Sequence, residues 1–106
     1  MRLVDLEPRW FAHGDIPHAV FVFKCPHCCT TARNVRLSCT VVAMKASDQQ
    51  DIFNAAYGKD AVVVGCKFLG WTMKNGPSFE TMSITPSLDA SASGHWHGFI
   101  TNGNIN

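Results

Sequence analysis

Cys25-Pro26-His27-Cys28 stands directly after Ala19-Val20-Phe21-Val22-Phe23-Lys24, and this junction constrains the fold more than any other stretch of the chain. The segment before the first cysteine is dominated by β-branched and aromatic residues, is too short for a helix, and reads as a buried strand. A strand ending in Cys-x-x-Cys carries two thiols three positions apart into a tight turn, from which both can reach one tetrahedral ion. Such a zinc knuckle is half a site. The other half is expected from His95 and His97, because residues two apart on a strand point to the same side. The expectation is a Cys₂His₂ centre of Cys25, Cys28, His95 and His97, holding one structural Zn²⁺ with no open position for water. If only one histidine binds, Cys29, Cys39, Cys66 or a water completes the set, and a water would make the zinc hydrolytic. The spacing is not that of DNA-reading fingers, and no recognition helix follows the knuckle.

The rest of the chain predicts a β-rich α+β domain, mostly antiparallel, with one short helix. Asn34 to Met44 reads as a strand with Val35, Leu37, Cys39, Val41 and Ala43 on one face. Ser47 is the expected N-cap, with Gln50 as its capping-box partner, for a helix from Asp48 to about Tyr57 that turns Ile52, Phe53 and Ala56 inward and ends at Gly58. Ala61 to Leu69 is a further apolar strand. Asn75-Gly76 signals a hairpin whose loop Pro77 lengthens, and Asn102-Gly103 signals a second. Pro86 is expected to end or edge its strand. A small-residue loop, Ser91 to Gly94, leads into a strand carrying His95 to Ile100.

The other candidate residues have plain readings. Cys39 and Cys66 fall within apolar strand patterns and read as core thiols. Cys29 is a spare thiol, His27 an exposed knuckle residue, and His13 and His18 solvated loop residues beside Gly14 and Pro17. Trp10, Phe11, Trp71, Trp96 and Phe99 read as core or rim packing. A base-stacking platform would need more interleaved cations than nine Lys and Arg against eight Asp and Glu supply. That balance, +1 overall, disfavours nucleic acid as a partner. The N-terminal segment lacks a signal-peptide pattern, and no stretch nears the roughly 20 apolar residues of a membrane span. The expectation is one domain over residues 1–106 in a reducing cytosol, where clustered cysteines bind metal or do redox work.

Redox work is the alternative. Cys25-Pro26-His27-Cys28 also resembles the active site of thioredoxin-fold oxidases, in which the first thiol is activated and Thr85-Pro86 would face it. That fold needs a long helix beginning within the motif, whereas the residues after Cys29 alternate as a strand does.

Four landmarks in order resemble a known family: Leu3-Val4-Asp5-Leu6-Glu7-Pro8-Arg9-Trp10, the Cys-Pro-His-Cys knuckle, Ser83-Ile84-Thr85-Pro86-Ser87-Leu88, and Trp96-His97-Gly98-Phe99-Ile100-Thr101-Asn102-Gly103. They are similar to small phage and prophage proteins of unknown function, often labelled "ammonia monooxygenase" and thought to bind zinc through the knuckle. The label implies a membrane copper enzyme, for which this chain has neither spans nor ligands. In the family a cysteine usually precedes the histidine of Trp-His-Gly-Phe by three residues. Here that position is Gly94, which makes His95 the nearest replacement, while His97 carries over directly. The resemblance implies a phage-encoded, zinc-stabilised binding protein in the bacterial host cytosol. Its expected partner is a host defence or regulatory protein, and a homodimer through an exposed strand edge is a further expectation.

Overall fold

Strand β2 (Ile16–Lys24) is buried on both faces from Ala19 to Phe23, which is why its sequence is continuously apolar instead of alternating. The computed structural model describes residues 1–26, 35–42, 45–58, 62–65, 71–91 and 95–106. β1 (Arg9–His13) pairs antiparallel with β2 across a two-residue turn at Gly14-Asp15, where Gly14 takes φ +59°. β3 (Val35–Thr40) pairs antiparallel with the other side of β2, and β4 (Val62–Gly65) runs parallel to β3. A parallel pair needs a crossover, and helix α1 (Ala46–Tyr57) lies within it. Its Phe53, with Ile52 and Tyr57, packs on Val20 and Val22.

The second sheet is antiparallel throughout, in the order β5 (Thr72–Lys74), β6 (Ser83–Asp89), β7 (His97–Thr101) and β8 (Asn104–Ile105). Its Ile84, Leu88 and Ile100 meet Phe21, Phe23, Leu37 and Cys39 of the first sheet in the main core. The layers are helix, sheet, sheet, and the class is the expected α+β with mostly antiparallel strands and one short helix. The radius of gyration is 12.6 Å, close to the ~13 Å of a compact 100-residue domain.

Several local expectations are corrected. His13 and His18 lie on the β1–β2 hairpin, half-buried, with the His18 ring edge-on to Trp10 at 5.2 Å. The helix begins at Ala46, with Lys45 in the cap position and no side-chain cap; Ser47 is inside it, and Gln50 Nε2 donates to Asn54 Oδ1 at 2.9 Å. Gly58 does end it, donating its N–H to the Asn54 carbonyl at 2.9 Å. Pro86 sits inside β6, beyond the end of β5 pairing at Thr85 and where the β6–β7 register shifts. A residue without an N–H is tolerated there. The expected strand at Ala61 to Leu69 is described only over β4.

Both Asn-Gly signals fall in the connections of antiparallel hairpins, as expected. Asn102 and Gly103 take φ +48° and +77° between paired Thr101 and Asn104, a mirror-image hairpin turn. The β5–β6 loop runs from Asn75 to Met82, with Asn75 at φ +58°. A 3₁₀ turn at Leu3–Leu6, absent from the sequence expectations, buries both leucines completely or nearly so. The N-terminal residues also cover the β8 edge: the Ile105 N–H donates to the Met1 carbonyl at 2.8 Å and Arg2 bridges to Asn104, while Arg2 Nη2 donates to the Glu80 carbonyl of the β5–β6 loop at 2.7 Å. Among the described residues no helix is long and apolar enough to cross a membrane.

Candidate metal centre

Cys25 continues the inward row of Phe21 and Phe23 one step past the end of β2, its N–H donating to the Val35 carbonyl at 3.0 Å. The row ends in the main core, and Cys25 is fully buried. On the second sheet the chain leaves β6 at Asp89 and returns at β7. Two hydrogen bonds hold that return: the His95 N–H donates to the Ala90 carbonyl at 3.1 Å and the Ala90 N–H to the Trp96 carbonyl at 3.0 Å. Half-buried His95 thereby projects to the end of the first sheet. Its Nδ1 lies 3.9 Å from Cys25 Sγ, across 70 residues of sequence. Beside them the Trp96 ring meets Phe23 edge-on at 6.0 Å, giving the pair an apolar wall.

This separation can be compared with what zinc requires. Bonds of about 2.3 Å to sulfur and 2.0–2.1 Å to nitrogen, at a tetrahedral angle, place the two ligand atoms about 3.6 Å apart. The observed pair is a few tenths of an ångström wider. Cys25 Sγ and His95 Nδ1 therefore fit one edge of a zinc tetrahedron.

His97 is placed differently. The strand register begins at His97, so the two-residue period that would align it with His95 does not reach back that far. Within β7 Gly98 and Ile100 are buried while His97, Phe99 and Thr101 are exposed. The His97 ring thus lies on the outer face of the sheet, with Nε2 at 3.2 Å from Ser87 Oγ on β6. The structure brings His95 to Cys25 and seats His97 on the opposite face of its strand. Phe99, expected as core or rim packing, is 52% exposed on the same outer face.

Cys28, the second knuckle thiol, lies outside the described residues, as do His27, Cys29 and Cys66. Cys39 is a buried core thiol as expected. It pairs with Phe21, whereas Cys25 is level with Val35. Four residues of strand separate the two levels, about 13 Å, which removes Cys39 from any ion held by Cys25. Among the described residues no group of three or more His, Cys, Asp or Glu is placed to hold an ion.

The same burial bears on thiol chemistry. Disulfide exchange requires an accessible thiolate. Cys25 is 0% exposed at a strand end, and β3 starts ten residues after it where an oxidase would carry a long helix.

Lys24 Nζ lies 3.0 Å from Glu7 Oε2, and this hydrogen bond and the ammonium charge hold the exposed Glu7 carboxyl below its ordinary value. Burial pushes the Tyr57 phenol up, opposed by the positive charges of Arg36 and Arg9.

No protein-family model, curated protein or solved structure matches the chain.

Proposed function

We propose that the chain is a zinc-stabilised, non-enzymatic binding protein that acts by protein–protein contact in a bacterial cytosol. The approach of Cys25 Sγ to His95 Nδ1, joining the ends of two sheets, is the observation that supports it. Cys25, Cys28 and His95 are the proposed ligands, and of the two histidines expected from sequence it is His95 that meets Cys25. His97 is the fourth member of the sequence-derived set; its seat on the outer face makes it the weaker ligand candidate. When bound, the ion supplies a cross-link between the sheets, and its binding deprotonates the cysteines. A buried cross-link suits a small domain with a thin core. A phage origin, and a host defence or regulatory protein as the partner, rest on the family resemblance of the four landmarks.

Metal analysis of protein purified without chelator tests the reading. About one zinc per chain is expected, lost in Cys25→Ser, Cys28→Ser and His95→Ala and retained in His97→Ala. Metal-free native protein would overturn it. Loss in His97→Ala with retention in His95→Ala would overturn the choice of histidine.

A further inference from the structure

Away from the candidate metal centre, the helix-side face of the first sheet carries two cations, Arg9 and Arg36, set against rings at the rim of its core. Arg9 and Phe11 of β1 lie opposite Val22 and Val20, and Arg36 of β3 lies opposite Lys24. All therefore share the face on which α1 packs. The Arg9 guanidinium carbon is 4.9 Å from the Phe11 ring centroid, and that of Arg36 is 4.5 Å from the Tyr57 ring. Phe11 and Tyr57 meet edge-on at 5.9 Å, so the two cations flank one aromatic pair at the C-terminal end of the helix.

Ring contact of this kind fixes a guanidinium without using its N–H donors. Among the described residues no carboxylate pairs with Arg9 or Arg36; Glu7, whose carboxyl feels the Arg36 charge, is engaged by Lys24. Two pre-positioned forks whose donors meet no side-chain acceptor among the described residues are suited to carboxylates, which they bind bidentately. They stand on strands flanking β2, opposite Val22 and Lys24, so two strand spacings and two residues of strand set them about 12 Å apart at the backbone. That spacing suits acidic side chains a few residues apart on one segment.

We propose that this ledge of Arg9, Arg36 and Tyr57 is the docking surface for an acidic protein segment. The assignment rests on the binding-protein reading and gives that protein's partner its chemistry. Carboxylates are favoured over a nucleic acid backbone because the ledge is two residues wide in a chain of net charge +1, too little to track a phosphate polymer.

The test titrates the intact protein, as purified without chelator, with a hexaglutamate peptide, followed by amide chemical shifts at low salt. Shifts clustered at residues 9, 11, 36 and 57 are expected, with affinity falling about tenfold in Arg9→Gln/Arg36→Gln and unchanged in Lys74→Gln, on the second sheet. Raising sodium chloride to about 0.5 M should abolish binding to the unaltered protein, which reads the ledge even if the double variant does not fold. Absent shifts, equal binding by the double variant, or shifts spread over remote lysines would overturn the proposal. So would an oligonucleotide or inorganic phosphate occupying the same residues more tightly than the peptide. Zinc measured in the same samples separates the two readings: peptide binding without zinc leaves the ledge standing, and zinc without peptide binding removes the ledge alone.

Discussion

At the scale of single residues, two glycines show how little room the second sheet leaves. A Cβ on Gly98 would lie 2.2 Å from the Asn106 carbonyl oxygen and 2.5 Å from the Trp96 ring. Gly98→Ala is expected to destabilise by about 2 kcal/mol or more through this clash, read as a lower urea midpoint. It should also move Trp96 and thus His95, so zinc content is a second readout. Gly103 combines φ +77° with a Cβ position 2.2 Å from the Glu80 carbonyl oxygen. Gly103→Ala therefore adds left-handed strain of about 1–2 kcal/mol to a contact that backbone cannot relieve. The Asn102-Gly103 turn was legible in sequence because mirror-image turns have local residue requirements. The steric need at Gly98 was not, since the clashing atoms come from Trp96 and from the last residue of the chain.

At the scale of elements, helix α1 separates what local chemistry can and cannot decide. Its apolar spacing and Gly58 are local signals, and the helix ends where they place it. Its start is not set by Ser47 and Gln50. The Val41 N–H is still tied to the Ala19 carbonyl at 2.9 Å, and Val42 packs against the helix-side core, so the chain's departure from the sheet sets where the first turn begins. Lys45 occupies a cap position that favours Ser, Thr, Asp or Asn, and its positive charge opposes the helix dipole. Lys45→Asp should stabilise the protein by about 0.5–2 kcal/mol in chemical denaturation. Ser47→Ala should change it by less than about 0.5 kcal/mol, since no cap is lost. A large loss in Ser47→Ala would restore the sequence-based cap.

At the scale of the whole molecule, contacts across the chain hold the layers together. Trp10 Nε1 donates to the Pro77 carbonyl at 2.9 Å and its ring stacks on Phe79 at 5.5 Å, tying β1 to the β5–β6 loop. Trp10→Phe keeps most of the apolar contact but removes that hydrogen bond, an expected loss of about 0.5–1.5 kcal/mol in thermal or urea unfolding. The Glu7–Lys24 pair ties the residue after the 3₁₀ turn to the end of β2. Its carboxyl titrates below the ordinary 4.5 in the folded protein. The stability it adds is present above that value and is lost as pH falls through the lower folded value. Because Glu7 is exposed, the effect is small, and Glu7→Gln should slightly flatten the acid limb of a stability–pH profile. Chelation is expected to lower the unfolding temperature by more than about 5 °C, since the proposed ion spans both sheets.

Taken by itself, the sequence determined the buried strand into Cys25, the core row of Val35, Leu37 and Cys39, the helix and its end, and both Asn-Gly hairpin connections. Each is written in a period or a turn preference spanning only a few neighbouring residues. It also pointed to the segment from His95 to His97 as the source of a histidine near Cys25. Which histidine meets the thiol was decided by where β6 and β7 begin to pair, since a two-residue period holds only inside a strand. The Arg9–Phe11–Tyr57–Arg36 ledge was likewise decided by tertiary structure. Its members come from two strands and a helix, and only the pairing of β1 and β3 on either side of β2 sets them on one face.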